Sequence, residues 1–306
     1  MSGFDVQPSR FGHVALLGRP NVGKSTLLNA LIGADLSIVS PKPQTTRHRI
    51  LGIATHEHAQ IAFLDTPGLH EGGKRAMNRQ LNRVARHAPD EADVLLHVIA
   101  APRWTDEDEQ VWKLIEQRDI PCLLVINKID LVKDKADLLP FVESISKRHA
   151  YQGIHYLQAT RGKGLKALMN DVVRLLPEGQ AVYAEDDLTD RSERFLAAEM
   201  IREQLMLRLS DELPYATTVE IERFEQDGEL ARISAAIWVE REGQKAIVIG
   251  AGGAPGPWNT PQLFTSSRSM PVGGLTPGGN YLFQVRAVGG STGYSDWSDP
   301  VSHMSM

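Results

Sequence analysis

The chain has 306 residues, of which 42% are hydrophobic and 23% are charged, and its formal net charge is -5. This length and composition predict a globular protein of about two domains and argue against a broadly basic nucleic-acid coat protein. Cys122 is the single cysteine, which excludes a disulfide framework and fits a reducing compartment. The sequence shows neither a signal peptide nor an apolar stretch of membrane-spanning length, so we expect a cytoplasmic protein.

Short apolar runs alternate with amphipathic stretches from residue 11 to about residue 176. This alternation predicts an α/β domain over 1–176, with a doubly wound, mostly parallel sheet. The predicted strands are Val14–Leu17, Ile61–Leu64, Val94–Ala100, Leu123–Ile126 and Ile154–Leu157. The predicted helices are Lys24–Ile32, Arg75–His87, Asp106–Gln117, Lys135–Lys147 and Leu165–Leu175.

A second, α+β domain is predicted over 190–254, after a polar linker at 177–189. Its helix is expected to begin at a cap on Thr189 or Asp190. Two alternating stretches, "TTVEIERFE" and "ARISAAIWVERE", predict strands joined by a turn at Asp227-Gly228. The following "IVIGAGG" is interpreted as an apolar strand that runs into a glycine turn.

The stretch "GRPNVGKST" fits the phosphate-loop pattern G-x-x-x-x-G-K-[ST], and it follows a predicted strand and precedes a predicted helix. Its glycines allow successive backbone N–H groups to surround phosphate oxygens, and the helix N-terminus adds a positive dipole end. We expect Lys24 to reach the β- and γ-phosphates and Ser25 to bind Mg²⁺ through its hydroxyl.

Three further motifs follow in the order of a guanine-nucleotide switch domain. In "DTPG", the Asp65 carboxylate is expected in the magnesium shell and the Gly68 N–H at the γ-phosphate. In "NKID", the two oxygens of Asp130 can accept from the N1–H and the exocyclic amine of guanine, a pairing that adenine does not offer. The aliphatic stem of Lys128 is expected to cover the base. Between the phosphate loop and DTPG, "QTTR" offers a threonine for the metal shell.

The chain resembles the Era family of bacterial ribosome-assembly GTPases from about residue 10 to residue 254. The resemblance lies in "GRPNVGKSTLLNALIG", "QTTRHRI", "DTPGLH", "RWTDED", "NKID", "DRSERF", "ELPY", "VEIERF" and "VEREGQK". It implies GTP hydrolysis, GTP or GDP and Mg²⁺ as cofactors, and Thr46 as the switch threonine, with Thr45 as the alternative. In the guanine loop, Gln158-Ala159 stands where the family usually has Ser-Ala, and the Ala159 N–H is expected at the guanine carbonyl.

These motifs and the resemblance together give one set of expected site residues. The nucleotide is expected to contact Gly18, Asn21, Val22, Gly23, Lys24, Ser25, Thr26, Asp65, Gly68, Asn127, Lys128, Asp130 and Ala159. The metal ligands are expected to be Ser25, Thr46 and Asp65, and the residues that act in catalysis Asn21, Lys24, Thr46 and Gly68.

Two positions bear on the hydrolysis mechanism. Leu69 follows DTPG where Ras-like enzymes carry a glutamine that orients water, so another group must do that work. Asn21 matches an asparagine that helps to hold K⁺ in related GTPases, and an alternative is that its amide only braces the loop. We therefore expect slow hydrolysis that is faster in K⁺ than in Na⁺.

The resemblance further implies that 190–254 is a truncated KH domain for the 3′ end of small-subunit 16S ribosomal RNA. Gly250, Ala251, Gly252 and Gly253 fit the G-x-x-G turn that holds the nucleic-acid backbone. The basic helix, the further helix and the closing strand of the family do not follow in the sequence. Small ribosomal subunits are the expected partner, with peripheral contact at the inner membrane.

Residues 255–306 resemble the β-rich back half of a fibronectin type III domain, through "LTPGGNYLFQVRAV" and "GYSDWSDPV". The stretch "NYLFQVRAV" predicts a half-buried strand. The whole sequence therefore has the pattern of a chimera. Two alternative functions follow, namely a hybrid protein whose tail recognises protein or carbohydrate, and a chimera that retains only GTP binding.

Overall fold

A computed structural model describes residues 10–42, 45–69, 76–134, 136, 138–210, 212–227, 230–249, 280–289, 293–294 and 301–304. The chain divides into two compact units, unit 1 at Met1–Asp190 and unit 2 at Arg191–Met306. None of the helices among these residues is long and apolar enough to cross a membrane.

Unit 1 is built on a six-stranded sheet with the order β2-β3-β1-β4-β5-β6. Only β2 runs antiparallel to its neighbour, and the other pairings are parallel. The strands are β1 (Arg10–Leu17), β2 (Ile50–His56), β3 (Ala59–Asp65), β4 (Val94–Ala100), β5 (Cys122–Asn127) and β6 (Gly153–Tyr156). The predicted fold class is confirmed for this unit, and β2 is an addition to the predicted strands.

Five α-helices accompany the sheet among the described residues of unit 1. They are α1 (Lys24–Ile32), α2 (Ala76–His87), α3 (Asp106–Ile115), α4 (Leu138–Ser146) and α5 (Leu165–Leu175). All seven residues of β3 are buried, as expected for a strand covered on both faces. Because the parallel strands end at one edge, the loops after β1, β3 and β5 meet there.

The segment 177–189, predicted as a polar linker, packs along unit 1. The buried side chain of Gln60 on β3 accepts hydrogen bonds from the N–H groups of Val182 and Tyr183, both at 2.9 Å. The Ile53 N–H on β2 donates to the Leu188 carbonyl at 2.8 Å. The sequence did not indicate this packing, because composition does not show that a buried glutamine requires these partners.

Unit 2 contains α6 (Glu193–Arg208), β7 (Thr217–Asp227), β8 (Leu230–Val239) and α7 (Glu242–Ile249). The cap of α6 is Ser192, whose hydroxyl accepts from the Phe195 N–H at 3.3 Å, so the caps predicted at Thr189 or Asp190 were wrong. The strand predicted at "IVIG" was also wrong, because Ile247–Ile249 is the end of α7. Short apolar runs do not by themselves separate strand from helix.

The tail contributes three described strands, β9 (Asn280–Gly289), β10 (Gly293–Tyr294) and β11 (Val301–Met304). Strand β9 was predicted from its alternation, and it pairs in parallel with β8 from Leu230↔Asn280 to Val239↔Gly289. The sheet order is β10-β9-β8-β7, and β11 also pairs with β9. The sequence pattern predicted this strand but not its pairing with β8.

Candidate nucleotide site

The phosphate loop connects β1 to α1. Gly23 caps α1 in the left-handed region with φ 97°, a conformation that side chains rarely adopt. A Cβ at Gly23 would collide with the Asn127 side chain, so the loop also lies against the end of β5. Glycine is required here on both counts, as the motif predicts.

Lys24 is 6% exposed, and its ammonium donates to the carbonyls of Gly18 at 2.9 Å and Arg19 at 3.0 Å. Desolvation lowers the pKa of Lys24 to about 8, although the nearby Asp65 opposes the shift. A buried ammonium with this pKa gains stability from an anion, and phosphate oxygens next to the loop would provide one.

The three predicted metal ligands lie together at the end of β3. The Ser25 hydroxyl donates to Asp65 Oδ2 at 2.7 Å, and the Ser25 and Thr46 hydroxyl oxygens are 2.9 Å apart. Burial raises the pKa of Asp65, and Asp65 Oδ1 is buried without a hydrogen-bond partner. Two hydroxyls and a buried carboxylate with an open oxygen form a hard oxygen donor set, which fits Mg²⁺.

Thr45 and Thr46 have different surroundings, which bears on the choice between them. The Thr45 hydroxyl donates to the Lys42 carbonyl at 2.6 Å, and Thr45 is 8% exposed. Thr46 instead lies beside Ser25. The geometry therefore favours Thr46 as the metal ligand.

Gly68 approaches the phosphate loop closely. A Cβ at Gly68 would lie 2.6 Å from the nitrogen of Pro20, so only glycine fits. The next residue, Leu69, is partly buried against an apolar core cluster that includes Leu51 and Leu64. Leu69 thus has a packing role and offers no hydrogen bond to water.

The candidate guanine pocket is braced by the buried side chain of Asn127. It donates to the Val22 carbonyl at 3.0 Å and accepts from the Ala159 N–H at 3.2 Å. Lys128 has φ 60°, and its ammonium donates to the Asn21 carbonyl at 2.7 Å. Asp130 is exposed. The Ala159 N–H that is expected at the guanine carbonyl thus donates to Asn127 in this structure.

Other expected residues are placed as follows. Asn21 is exposed and has φ 60°. Thr26, together with Lys24 and Ser25, lines a cavity beside the phosphate loop. The G-x-x-G turn at 250–253 lies outside the described residues.

Sequence reasoning missed two polar residues near the metal ligands, Asn29 and Ser37. Asn29 is buried on α1 and contacts the chain at Ser37, whose hydroxyl donates to Asp65 Oδ2 at 3.0 Å. Asparagine is a poor residue for a helix interior, so its presence in α1 was an available signal. Ser37 carried no comparable signal.

Two family models match parts of this chain. The family described as "50S ribosome-binding GTPase" matches residues 13–128, and the family described as "KH domain" matches residues 212–255. GTPase Era of Xanthomonas campestris pv. campestris strain B100 is 56% identical over 249 residues, which are 81% of this chain and 84% of that protein. GTPase Era of Stenotrophomonas maltophilia strain K279a is 57% identical over 247 residues, 81% of this chain and 83% of that protein.

Two solved structures are similar over most of the chain. A tyrosine-to-alanine variant of Aquifex aeolicus Era bound to GDP·AlF₄⁻ has a TM-score of 0.76 and 38% identity, covering 80% of this chain and 84% of that one. Era in complex with MgGDPNP and nucleotides 1506–1542 of 16S ribosomal RNA has a TM-score of 0.75 and 37% identity, covering 80% and 83%.

Proposed function

The chain belongs to the Era family of GTPases, and we propose that its GTP cycle controls binding of unit 2 to 16S ribosomal RNA during small-subunit assembly. Membership of the family makes it a GTPase that uses GTP, GDP and Mg²⁺. The observation that carries the proposal is the cluster of Lys24, Ser25, Thr46 and Asp65 at one end of the sheet. We place its action in the cytoplasm, with the inner membrane as a peripheral contact.

The positions of the phosphate-binding residues support the following roles. Lys24 exchanges its loop carbonyls for the β- and γ-phosphate oxygens, since charged oxygens are the stronger acceptors. Ser25, Thr46 and Asp65 would hold Mg²⁺, which when bound neutralises charge that develops on the transferred phosphoryl group. The Gly68 N–H, in the loop after β3, would donate to the γ-phosphate.

Water activation in this site cannot come from Leu69, because its side chain is apolar and packs on the core. We infer that Asn21 helps to hold K⁺ at the phosphates and that this charge stabilises the transition state. The exposed position of Asn21 beside Lys24 in the phosphate loop supports this role.

Guanine recognition rests on the exposed carboxylate of Asp130, which accepts two hydrogen bonds from the base. Lys128 covers the base with its aliphatic stem. Asn127 holds the phosphate loop and the 158–159 loop together, so the Ala159 contact with guanine is shared with Asn127.

RNA binding by unit 2 is supported by the KH match at 212–255 and by the relative whose structure contains 16S ribosomal RNA. The parallel pairing of β9 with β8 supports a sheet that is complete on that side. These relationships favour RNA as the ligand over a protein or carbohydrate bound by the tail.

RNA binding is tested with an oligonucleotide of nucleotides 1506–1542 and a scrambled control at one salt concentration, in GDP and in a GTP analogue. We expect at least about tenfold preference for the true sequence. Ala251→Asp with Gly252→Asp should weaken binding of both oligonucleotides, because two carboxylates in the G-x-x-G motif repel the phosphate backbone. If the chain binds the true and the scrambled oligonucleotides with equal affinity, the proposal of specific 16S ribosomal RNA binding fails, while the GTPase assignment is unaffected.

A further inference from the structure

Asn29 ties the chain that follows α1 back to that helix. Its Oδ1 accepts from the N–H groups of Leu36 at 3.1 Å and Ser37 at 2.9 Å, and its Nδ2 donates to the Ser37 carbonyl at 2.8 Å. Asn29 lies four residues after Ser25, on the same face of α1. The backbone of Ser37 is therefore fixed relative to Ser25.

The Ser37 hydroxyl approaches the candidate metal site from the protein interior. Ser37 is 4% exposed, and it donates to Asp65 Oδ2, the oxygen that also accepts from Ser25. Ser25 and Thr46 line the cavity beside the phosphate loop, whereas Ser37 is not among its lining residues. Asp65 does not line this cavity either, so the contact between Ser37 and the carboxylate lies in the protein interior.

We propose that Ser37, held by Asn29, is a positioning residue that fixes the Asp65 carboxylate for Mg²⁺, and this inference rests on the proposed function. Ser25 and Thr46 would present their oxygens to the metal. The buried Ser37 hydroxyl instead donates to Asp65 Oδ2. A carboxylate in a metal shell must be held in one orientation, and loss of such an outer partner typically costs about 10–100-fold in metal affinity.

The geometry also explains why Asn29 makes its hydrogen bonds to Leu36 and Ser37. The chain between Ser37 and Thr46 leads from the Asp65 contact to the switch threonine. Asn29 fixes the start of this segment to α1. The Ser37 and Ser25 hydroxyls, which both donate to Asp65 Oδ2, are therefore held at a constant distance from each other. Asp65 is thus oriented by donors from two separate parts of the chain.

The test measures how the rate of release of fluorescently labelled GDP depends on Mg²⁺ concentration in the full chain carrying Ser37→Ala. We expect the Mg²⁺ concentration that half-maximally slows release to rise about tenfold or more. Release in EDTA should keep the wild-type rate. Ser144→Ala is a matched control, because it removes a serine hydroxyl that donates to the Phe141 carbonyl on α4, and it should change neither quantity.

A second variant, Ser37→Cys, separates packing from hydrogen bonding, because a thiol fills similar space but donates weakly. It should raise the Mg²⁺ requirement in the same direction as Ser37→Ala. The inference is overturned if either variant has the Mg²⁺ requirement of the wild type. It is also overturned if a variant releases GDP faster than the wild type by the same factor in EDTA as in Mg²⁺. If GDP release from the wild-type chain ignores Mg²⁺, the proposed Mg²⁺ site fails as well, which distinguishes the two failures.

Discussion

The two units bury their charged side chains in different ways. In unit 1, Lys24 and Asp65 are buried where loops from different strands meet, and Asp65 Oδ1 has no hydrogen-bond partner. In unit 2, the buried Glu199 and Arg202 lie on α6, and both Glu199 oxygens accept from Arg202, at 2.7 and 2.6 Å. The first arrangement leaves capacity for a ligand, and the second satisfies its acceptor within one helix.

This difference shows how to interpret a buried charge. A charged residue in a core needs partners, and an acceptor that the protein leaves open is one that a ligand or metal can use. Asp65 meets that description, while Glu199 does not. Burial alone therefore does not identify a site, and Asp65 differs from Glu199 because one of its carboxylate oxygens has no hydrogen-bond partner.

The largest effect is expected from Asp130→Asn, which tests whether unit 1 selects its ligand through an open carboxylate. Loss of two charge-assisted hydrogen bonds to guanine costs roughly 3–6 kcal/mol, so GTP affinity should fall about 100-fold or more. XTP should gain affinity, because the asparagine amide can donate to the carbonyl that replaces the guanine amine. Competition binding with GTP, XTP and ATP measures this.

The control for Asp130→Asn is Asp134→Asn, which removes a nearby exposed carboxylate that accepts from the Ala136 N–H. It should leave GTP affinity within about a factor of two. An unchanged GTP preference in Asp130→Asn would end the assignment of guanine recognition to that residue.

The next effect concerns unit 2, where Arg202→Ala should lower the free energy of unfolding by about 3–5 kcal/mol, because it strands the buried Glu199 carboxylate. The paired replacement of Glu199→Leu with Arg202→Met should be much closer to wild type, since it removes both charges together. Native-state hydrogen exchange on α6 reads unit 2 separately from unit 1. If the double replacement lowers the free energy of unfolding as much as Arg202→Ala does, the ion pair stabilises unit 2 by more than the neutralisation of two buried charges.

The sequence predicted unit 1 well because its local patterns agree with its fold. The helix Lys24–Ile32 and the strand Val94–Ala100 have the predicted limits. Glycine and proline punctuation and buried apolar strands give strong signals there. In unit 2, the strand predicted at "IVIG" was wrong because Ile247–Ile249 continue the helix that begins at Glu242, and so short an apolar run has no decisive period.

The candidate site was predictable only in part. Lys24, Ser25, Thr46 and Asp65 belong to motifs whose chemistry is evident from residue type and order. Ser37 was not predictable, because its role depends on the fold that brings it 3.0 Å from Asp65, a contact 28 residues away in sequence. Long-range hydrogen bonds of single serines leave no periodic trace in a sequence.

A smaller effect is expected from Asn21→Ala, which sharpens the assignment of hydrolysis to unit 1. We expect wild-type hydrolysis to be about tenfold faster in KCl than in NaCl, equivalent to roughly 1.4 kcal/mol in the barrier. Asn21→Ala should bring the ratio close to one, as measured by phosphate release. Asn170→Ala on α5 is the control, since its side chain contacts His56 away from the phosphate loop. Equal wild-type rates in the two salts would remove the K⁺ proposal.

The smallest effect is expected from Ser192→Ala, which tests the local order of unit 2. The Ser192 hydroxyl satisfies the Phe195 N–H in the first turn of α6, so its loss should cost about 1 kcal/mol of unit 2 stability. Ser192→Asp retains an acceptor and adds a negative charge at the helix N-terminus, so it should match the wild type or exceed it. Because α6 packs on the apolar core of unit 2 through Ala197, Ile201 and Leu205, hydrogen exchange should quicken along α6 and β7 while GTP affinity stays constant. A loss of GTP affinity in Ser192→Ala would contradict the expectation that local order at the start of α6 has no effect on nucleotide binding in unit 1.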